Sequence, residues 1–98
     1  MIKIKGISKT QLDTIYGIIG LYPSMDFFAY GSRVNGNFSP NSDLDIIVRS
    51  ASEISYDILD ELNEKFDQSD LPFIVHISDY HKLDDGFVRL IENSMIKL

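Results

Sequence analysis

Cysteine is missing from the chain altogether. That excludes a disulfide framework and any site built on thiolates, and it is compatible with a reducing compartment. Cations are scarce: nine Lys and Arg stand against fifteen Asp and Glu, for a net charge of -6. Such a balance repels a nucleic-acid backbone. The few cations near the N-terminus (Lys3, Lys5, Lys9) make no patch that would offset it, so extended nucleic-acid binding is not expected. A small anion held through a metal ion stays compatible with this charge. Long apolar runs are lacking too. The opening Met1-Ile2-Lys3-Ile4-Lys5-Gly6 interleaves Lys with Ile and has no stretch of the kind a signal peptide or membrane span requires, which predicts a cytoplasmic protein. Repeats, linkers and low-complexity segments are absent as well.

What remains is an ordinary globular composition, 44% hydrophobic and 24% charged, and it should fold. Ninety-eight residues hold one domain with one modest core, too few for a catalytic domain plus a separate substrate-binding domain. Residues 1–98 are therefore read as a single domain.

Ser8-Lys9-Thr10-Gln11 has the form of a capping box, and Leu12, Ile15, Ile18 and Ile19 follow at helical spacing until Pro23 blocks continuation. Met25 to Tyr30 is short and aromatic-rich, as suits a strand that feeds a turn at Gly31. Residues 35 to 43 gather most of the loop-forming residue types of the chain. Leu44 to Val48 reads as a buried strand. Ser50-Ala51-Ser52-Glu53 repeats the capping-box pattern and is followed by Ile54, Ile58, Leu62 and Phe66, which predicts a second long helix. Phe73 to Ser78 reads as a third strand, and Phe87, Leu90 and Ile91 predict a final short helix opened by Asp84-Asp85-Gly86. The expected order is helix, strand, strand, helix, strand, helix. The aromatic residues Tyr16, Tyr22, Phe27, Phe28, Phe66, Phe73 and Phe87 recur at structural spacings and are assigned to core or interface, whereas His81 and Lys82 fall in a polar, exposed stretch.

Chemistry concentrates between residues 30 and 48. Residues two apart on a strand share a face, so Asp43 and Asp45 present parallel carboxylates while Leu44, Ile46 and Val48 turn toward a core. Two aligned carboxylates repel unless a cation lies between them, and hard oxygen donors at this spacing suit Mg²⁺ completed by water and substrate phosphate. Gly31-Ser32, directly after a strand, lets backbone approach a phosphate closely, with the Ser32 hydroxyl as a further donor. Arg33 either adds charge beside that turn or pairs with one of the many acids at the surface. Asp-x-Asp or Gly-Ser alone carries almost no information; their combination does.

Gly31-Ser32, ten intervening residues and Asp43-Leu44-Asp45, within the wider string Tyr30-Gly31-Ser32-Arg33 through Gly36 to Ser42-Asp43-Leu44-Asp45-Ile46, resemble the signature of the minimal nucleotidyltransferases of the DNA polymerase β-like superfamily. The order of elements agrees over essentially the whole chain. The resemblance implies an α+β fold, a small mixed sheet flanked by helices. It also implies metal binding (Mg²⁺) by Asp43 and Asp45, and nucleotide binding, with ATP as substrate, by Gly31 and Ser32 with Arg33 beside them. Family members carry a third carboxylate on the next strand, and the alignment of Leu71-Pro72-Phe73-Ile74-Val75-His76-Ile77-Ser78 places His76 there. Asp79, three residues along, should point to the other face. The catalytic set is accordingly Asp43, Asp45 and His76. The implied activity is transfer of a nucleoside monophosphate to a hydroxyl of a partner protein, as the antitoxin of a HEPN-type toxin–antitoxin pair, in a homo- or hetero-oligomer. The other reading is an impaired binding module that neutralises its partner by complex formation, His76 having replaced the acid.

Overall fold

The computed structural model describes residue 4, residues 6–36 and residues 42–98. The N-terminal reading of Lys3 and Lys5, and residues 37–41 of the connecting loop, lie outside the described residues. The elements are α1 (Lys9–Ile19), β1 (Asp26–Tyr30), α2 (Ser32–Asn35), β2 (Leu44–Arg49), α3 (Tyr56–Asp67), β3 (Val75–Asp79), a 3-10 turn (Tyr80–Lys82), α4 (Asp85–Ile91) and β4 (Ile96–Lys97). This is the α+β fold expected, a mixed sheet in the order β3-β2-β1-β4. β2 pairs antiparallel with β1 and parallel with β3, and β4 closes antiparallel on β1.

Alternation along the strands divides the sheet into two faces. Ala29, Leu44, Ile46 and Val48 on one face are fully buried, packed with Ile15 of α1 and Leu62 of α3 into the main core. Asp45, in register with Tyr30 on β1 and His76 on β3, stands on the other face. Tyr30 meets Phe87 of α4 edge-on there, with ring centroids 5.8 Å apart, so helices flank both faces. Of the aromatics assigned to the core, Tyr22, Phe27, Phe28, Phe66 and Phe73 are buried, while Tyr16 and Phe87 stay partly open.

Local chemistry sets the helix starts. Ser8 and Gln11 form the capping box reciprocally: the Gln11 N–H donates to the Ser8 hydroxyl at 3.1 Å and the Ser8 N–H to Gln11 Oε1 at 3.0 Å. Asp84 caps α4 by accepting from the N–H groups of Gly86 and Phe87. The second capping-box expectation fails. α3 begins only at Tyr56, capped by Ser55, whose hydroxyl accepts from the Ile58 N–H. The reason is tertiary. The Ile54 N–H donates to buried Asp79 Oδ2 at 2.8 Å, Lys82 Nζ donates to the Ile54 carbonyl, and the Ser50 carbonyl lies 2.8 Å from His81 Nε2, so residues 50–54 are pinned in a bent, non-helical path before any helical turn closes. His81 and Lys82 are exposed, as expected, yet both are anchored. The remaining differences are small elements: α2 where only a turn was expected, the 3-10 turn, a third strand shifted to Val75–Asp79, and β4, two residues long.

Asp79 is buried and faces away from His76, accepting from the backbone N–H groups of Ile54 and His81. Asp79→Ala leaves both donors without a partner. The substitution is expected to lower unfolding free energy by about 2–3 kcal/mol in urea titration, with Asp79→Asn, which keeps an acceptor oxygen, in between.

Tyr22, three residues past the end of α1, donates its hydroxyl to Glu61 Oε1 on α3 at 2.6 Å. Burial first, then that bond and the Glu61 charge, push the phenol up to about 12. A folded-state value above the unfolded one means stabilisation that is complete below pH 10 and is lost as pH rises from 10 toward 12. Tyr22→Phe is thus expected to cost about 1 kcal/mol at pH 7. Chemical denaturation of both proteins should show that gap closing as pH rises through this window.

Candidate functional site

β1 ends at Tyr30, and Gly31 turns the chain with φ of 88° into α2. The Val34 N–H donates to the Gly31 carbonyl at 3.0 Å, closing the first turn of α2, which Ser32 opens. Two constraints select glycine at position 31. The backbone is left-handed, and a Cβ there would lie 2.6 Å from Asp45 Oδ2, closer than any real contact allows. The Asp45 carboxylate is therefore packed directly against the bare Cα of the turn.

Asp43 immediately precedes β2 and Asp45 is its second residue. His76 is the register partner of Asp45 on β3, and its Nε2 lies 2.7 Å from Asp43 Oδ2. The imidazole thus spans the ends of two neighbouring strands and touches the first acid while standing beside the second. Both partners of this contact stay open to solvent, at 55% and 43% side-chain exposure, so its energy is that of a screened surface pair. Asp45 is more enclosed. Burial pushes its carboxyl above the usual carboxylate range, the neighbouring His76 opposes that, and the Asp43 charge adds to it. Burial likewise raises the Tyr30 phenol, reinforced by the Asp45 charge and countered by hydrogen bonding from Ser78. Tyr30 and Ser78 thus join the group on this face. Tyr30 is the register partner of Asp45 on β1 and Ser78 lies two residues beyond His76 on β3, so the strand pairing identifies both; no spacing motif points to them.

Arg33 departs from one of its sequence readings. It is not a surface residue pairing with an exposed acid: the guanidinium is almost fully buried, 4.4 Å from the centre of the Phe73 ring, with Nε donating to the Ser42 carbonyl at 3.1 Å. It is a strut that ties α2 to the residue just before Asp43. The planar, weakly hydrated guanidinium tolerates such a stacked, enclosed position where an ammonium would not.

The donor chemistry fits a divalent cation in part. Asp43 and Asp45 supply two hard carboxylates on adjoining positions, which suits Mg²⁺ when phosphate oxygens and water complete the shell. Among the described residues no group of three or more His, Asp or Glu side chains forms a ready-made cage. His76 adds a nitrogen that Mg²⁺ binds poorly and occupies one Asp43 oxygen. Among the described residues no helix is long and apolar enough to cross a membrane.

Comparison with known proteins agrees with this architecture. A "probable protein adenylyltransferase MntA" of Haemophilus influenzae is 35% identical over 71 residues, a match that covers 72% of this chain and 62% of that protein. The chain therefore spans about three-fifths of the length of the curated relative it matches. A crystal structure of a toxin–antitoxin with AMP-PNP superposes with a TM-score of 0.71 at 22% identity, covering 87% of this chain and 69% of that one. A mutant of the toxin–antitoxin MntA-HpeT gives 0.70 at 21% identity, covering 89% and 70%. At those identities the two structures establish the shared fold. The family model for the nucleotidyltransferase domain matches residues 17–98, from the middle of α1 to the final residue, and the chain belongs to that family.

Proposed function

We propose that this chain transfers a nucleoside monophosphate, AMP from ATP, to a hydroxyl of a partner protein, as the antitoxin of a HEPN-type toxin–antitoxin pair. One observation carries the reading: Asp43 and Asp45 stand together beside a left-handed glycine that admits the Asp45 carboxylate against its Cα, in a chain of the nucleotidyltransferase family. The named activity of the curated relative, the nucleotide analogue in one structural neighbour and the toxin–antitoxin character of both neighbours support it.

In this reading the acceptor oxygen bonds to the α-phosphorus, the bond from that phosphorus to the pyrophosphate oxygen breaks, pyrophosphate leaves and the acceptor proton passes to a base. Asp43 and Asp45 would hold Mg²⁺, which when bound polarises the phosphoryl group and offsets developing charge. Gly31 and Ser32 would contact the phosphates through the backbone that opens α2. Arg33, enclosed under Phe73, holds the loop end that carries Asp43. His76, with Nε2–H directed at Asp43, keeps its Nδ1 lone pair for the acceptor proton, oriented by the carboxylate behind it.

The 2.7 Å contact between His76 and Asp43 also favours the second reading, an impaired binding module. A ligand oxygen already engaged by imidazole is a poorer metal donor, and the third negative charge is missing.

The purified chain is incubated with Mg²⁺, labelled ATP and the product of its neighbouring gene. Label is expected on that product, reduced about a hundredfold or more by Asp43→Ala or by Asp45→Ala. Transfer that survives both substitutions would remove the enzymatic reading. His76→Asp separates the alternatives. If the ring takes the proton, activity drops by about a hundredfold. If the ring replaced a lost acid, activity rises.

Gly31→Ala tests the turn. The left-handed backbone costs about 1–2 kcal/mol for a residue with a Cβ, and the new methyl displaces the Asp45 carboxylate. Thermal unfolding is expected to show that modest loss, while transfer measured well below the melting temperature falls far more than stability accounts for.

A further inference from the structure

β3 is one of the two outer strands of the sheet, and its edge, unpaired among the described residues, lies one strand away from Asp45. The Leu44 N–H donates to the Ile74 carbonyl at 2.9 Å, and Leu44 is the register partner of Val75. In a parallel ladder this phase commits the backbone groups of His76 and Ser78 to β2 and turns those of Val75 and Ile77 outward, away from the sheet. Natural sheets blunt such edges with Lys, Pro or a bulge. Val75-His76-Ile77-Ser78 contains no Lys and no Pro, and its register with β2 runs without a break from Val75 to Asp79. Ile74, at the start of this stretch, leaves 59% of its surface open beside the edge.

Charge narrows the choice of occupant. α3, which packs on β3, exposes Asp57, Asp60, Glu61, Glu64 and Asp67 and carries one cation, Lys65. A segment lying along the edge joins the strand on which this acidic helix packs.

We propose that an extended, basic segment of the acceptor protein adds to the edge of β3 as a fifth strand, bonded to the outward backbone groups of Val75 and Ile77, and so delivers its hydroxyl across His76 to the two acids. The proposal rests on the transferase reading and names how its substrate is held. Strands pair about 4.8 Å apart, so a side chain opposite His76 on the added strand lies about two strand spacings from Asp45. Backbone bonds supply affinity in such an arrangement, and the charge and hydroxyl positions supply selectivity.

The test uses the full chain and the product of its neighbouring gene. Amide hydrogen exchange is read residue by residue on the free chain and on the complex. The Val75 and Ile77 amides are expected to exchange freely alone and to slow by about tenfold or more in the complex, a change equal to one net hydrogen bond, and the complex should weaken as salt rises. Ile77→Pro removes an outward N–H at a position where an edge strand tolerates proline. It is expected to raise the KM for the acceptor about tenfold while the KM for ATP stays unchanged. Since that variant can also disturb the strand, the exchange result on the unmodified chain decides. Transfer without protection at Val75 and Ile77 overturns the edge proposal and leaves the transferase reading standing. Protection in a complex that shows no transfer supports the edge as the docking site and overturns the enzymatic reading alone. No complex at all removes the protein acceptor and the edge proposal together.

Discussion

Everything at this site depends on the pairing of β2 on both of its sides. Because β2 is central, its register fixes at once where Tyr30, Asp45 and His76 stand, one on each of three neighbouring strands. The register in turn is fixed by burial. Leu44, Ile46 and Val48 lie at zero exposure in the main core, and a slip of one residue would drive Asp45 into that core. This face thus fixes where Asp45 stands on the other one, which is itself buried at Ile47.

That arrangement also sets the electrostatics. Asp45 is enclosed by the turn at Gly31 and by Tyr30, so its charge is costly and its carboxyl is displaced upward. Asp43, outside the strand and nearer to water, meets the His76 ring instead. Two acids two residues apart therefore occupy unlike surroundings. A cation placed between them would relieve the desolvated acid and compete with imidazole for the exposed one. In the proposed reading, the balance between those effects, set by His76, separates a transferase from a binding module.

Several residues that look incidental in the sequence support the frame. Buried Arg33 and Phe73 bind α2 and the approach to β2 together. Asp79, one residue position out of phase with His76, serves the opposite face, where it holds Ile54 and the 3-10 turn. These are polar groups spent on joining segments, and each has its donors or acceptors matched.

Local chemistry made much of this legible in advance. The capping box at Ser8, the cap at Asp84, the three main strands and the alternation of Asp45 with Ile46 and Val48 follow from spacing and residue type, since caps and periodicity act over only a few residues. The Gly31-Ser32 and Asp43-Leu44-Asp45 pattern pointed to the nucleotidyltransferase family for the same reason, because phosphate and metal contacts demand particular residue types at short separations. Long-range contact decided the rest. The late start of α3 follows from the hold that Asp79, His81 and Lys82 exert on residues 50–54, and Arg33 is buried because Phe73, forty positions away, folds over it. Two-residue β4 exists only because β1 offers it an edge. The sequence by itself determined which residues could make a cap, a strand or an acid pair; the tertiary structure decided which faces met, since burial and strand register depend on partners that no local window contains.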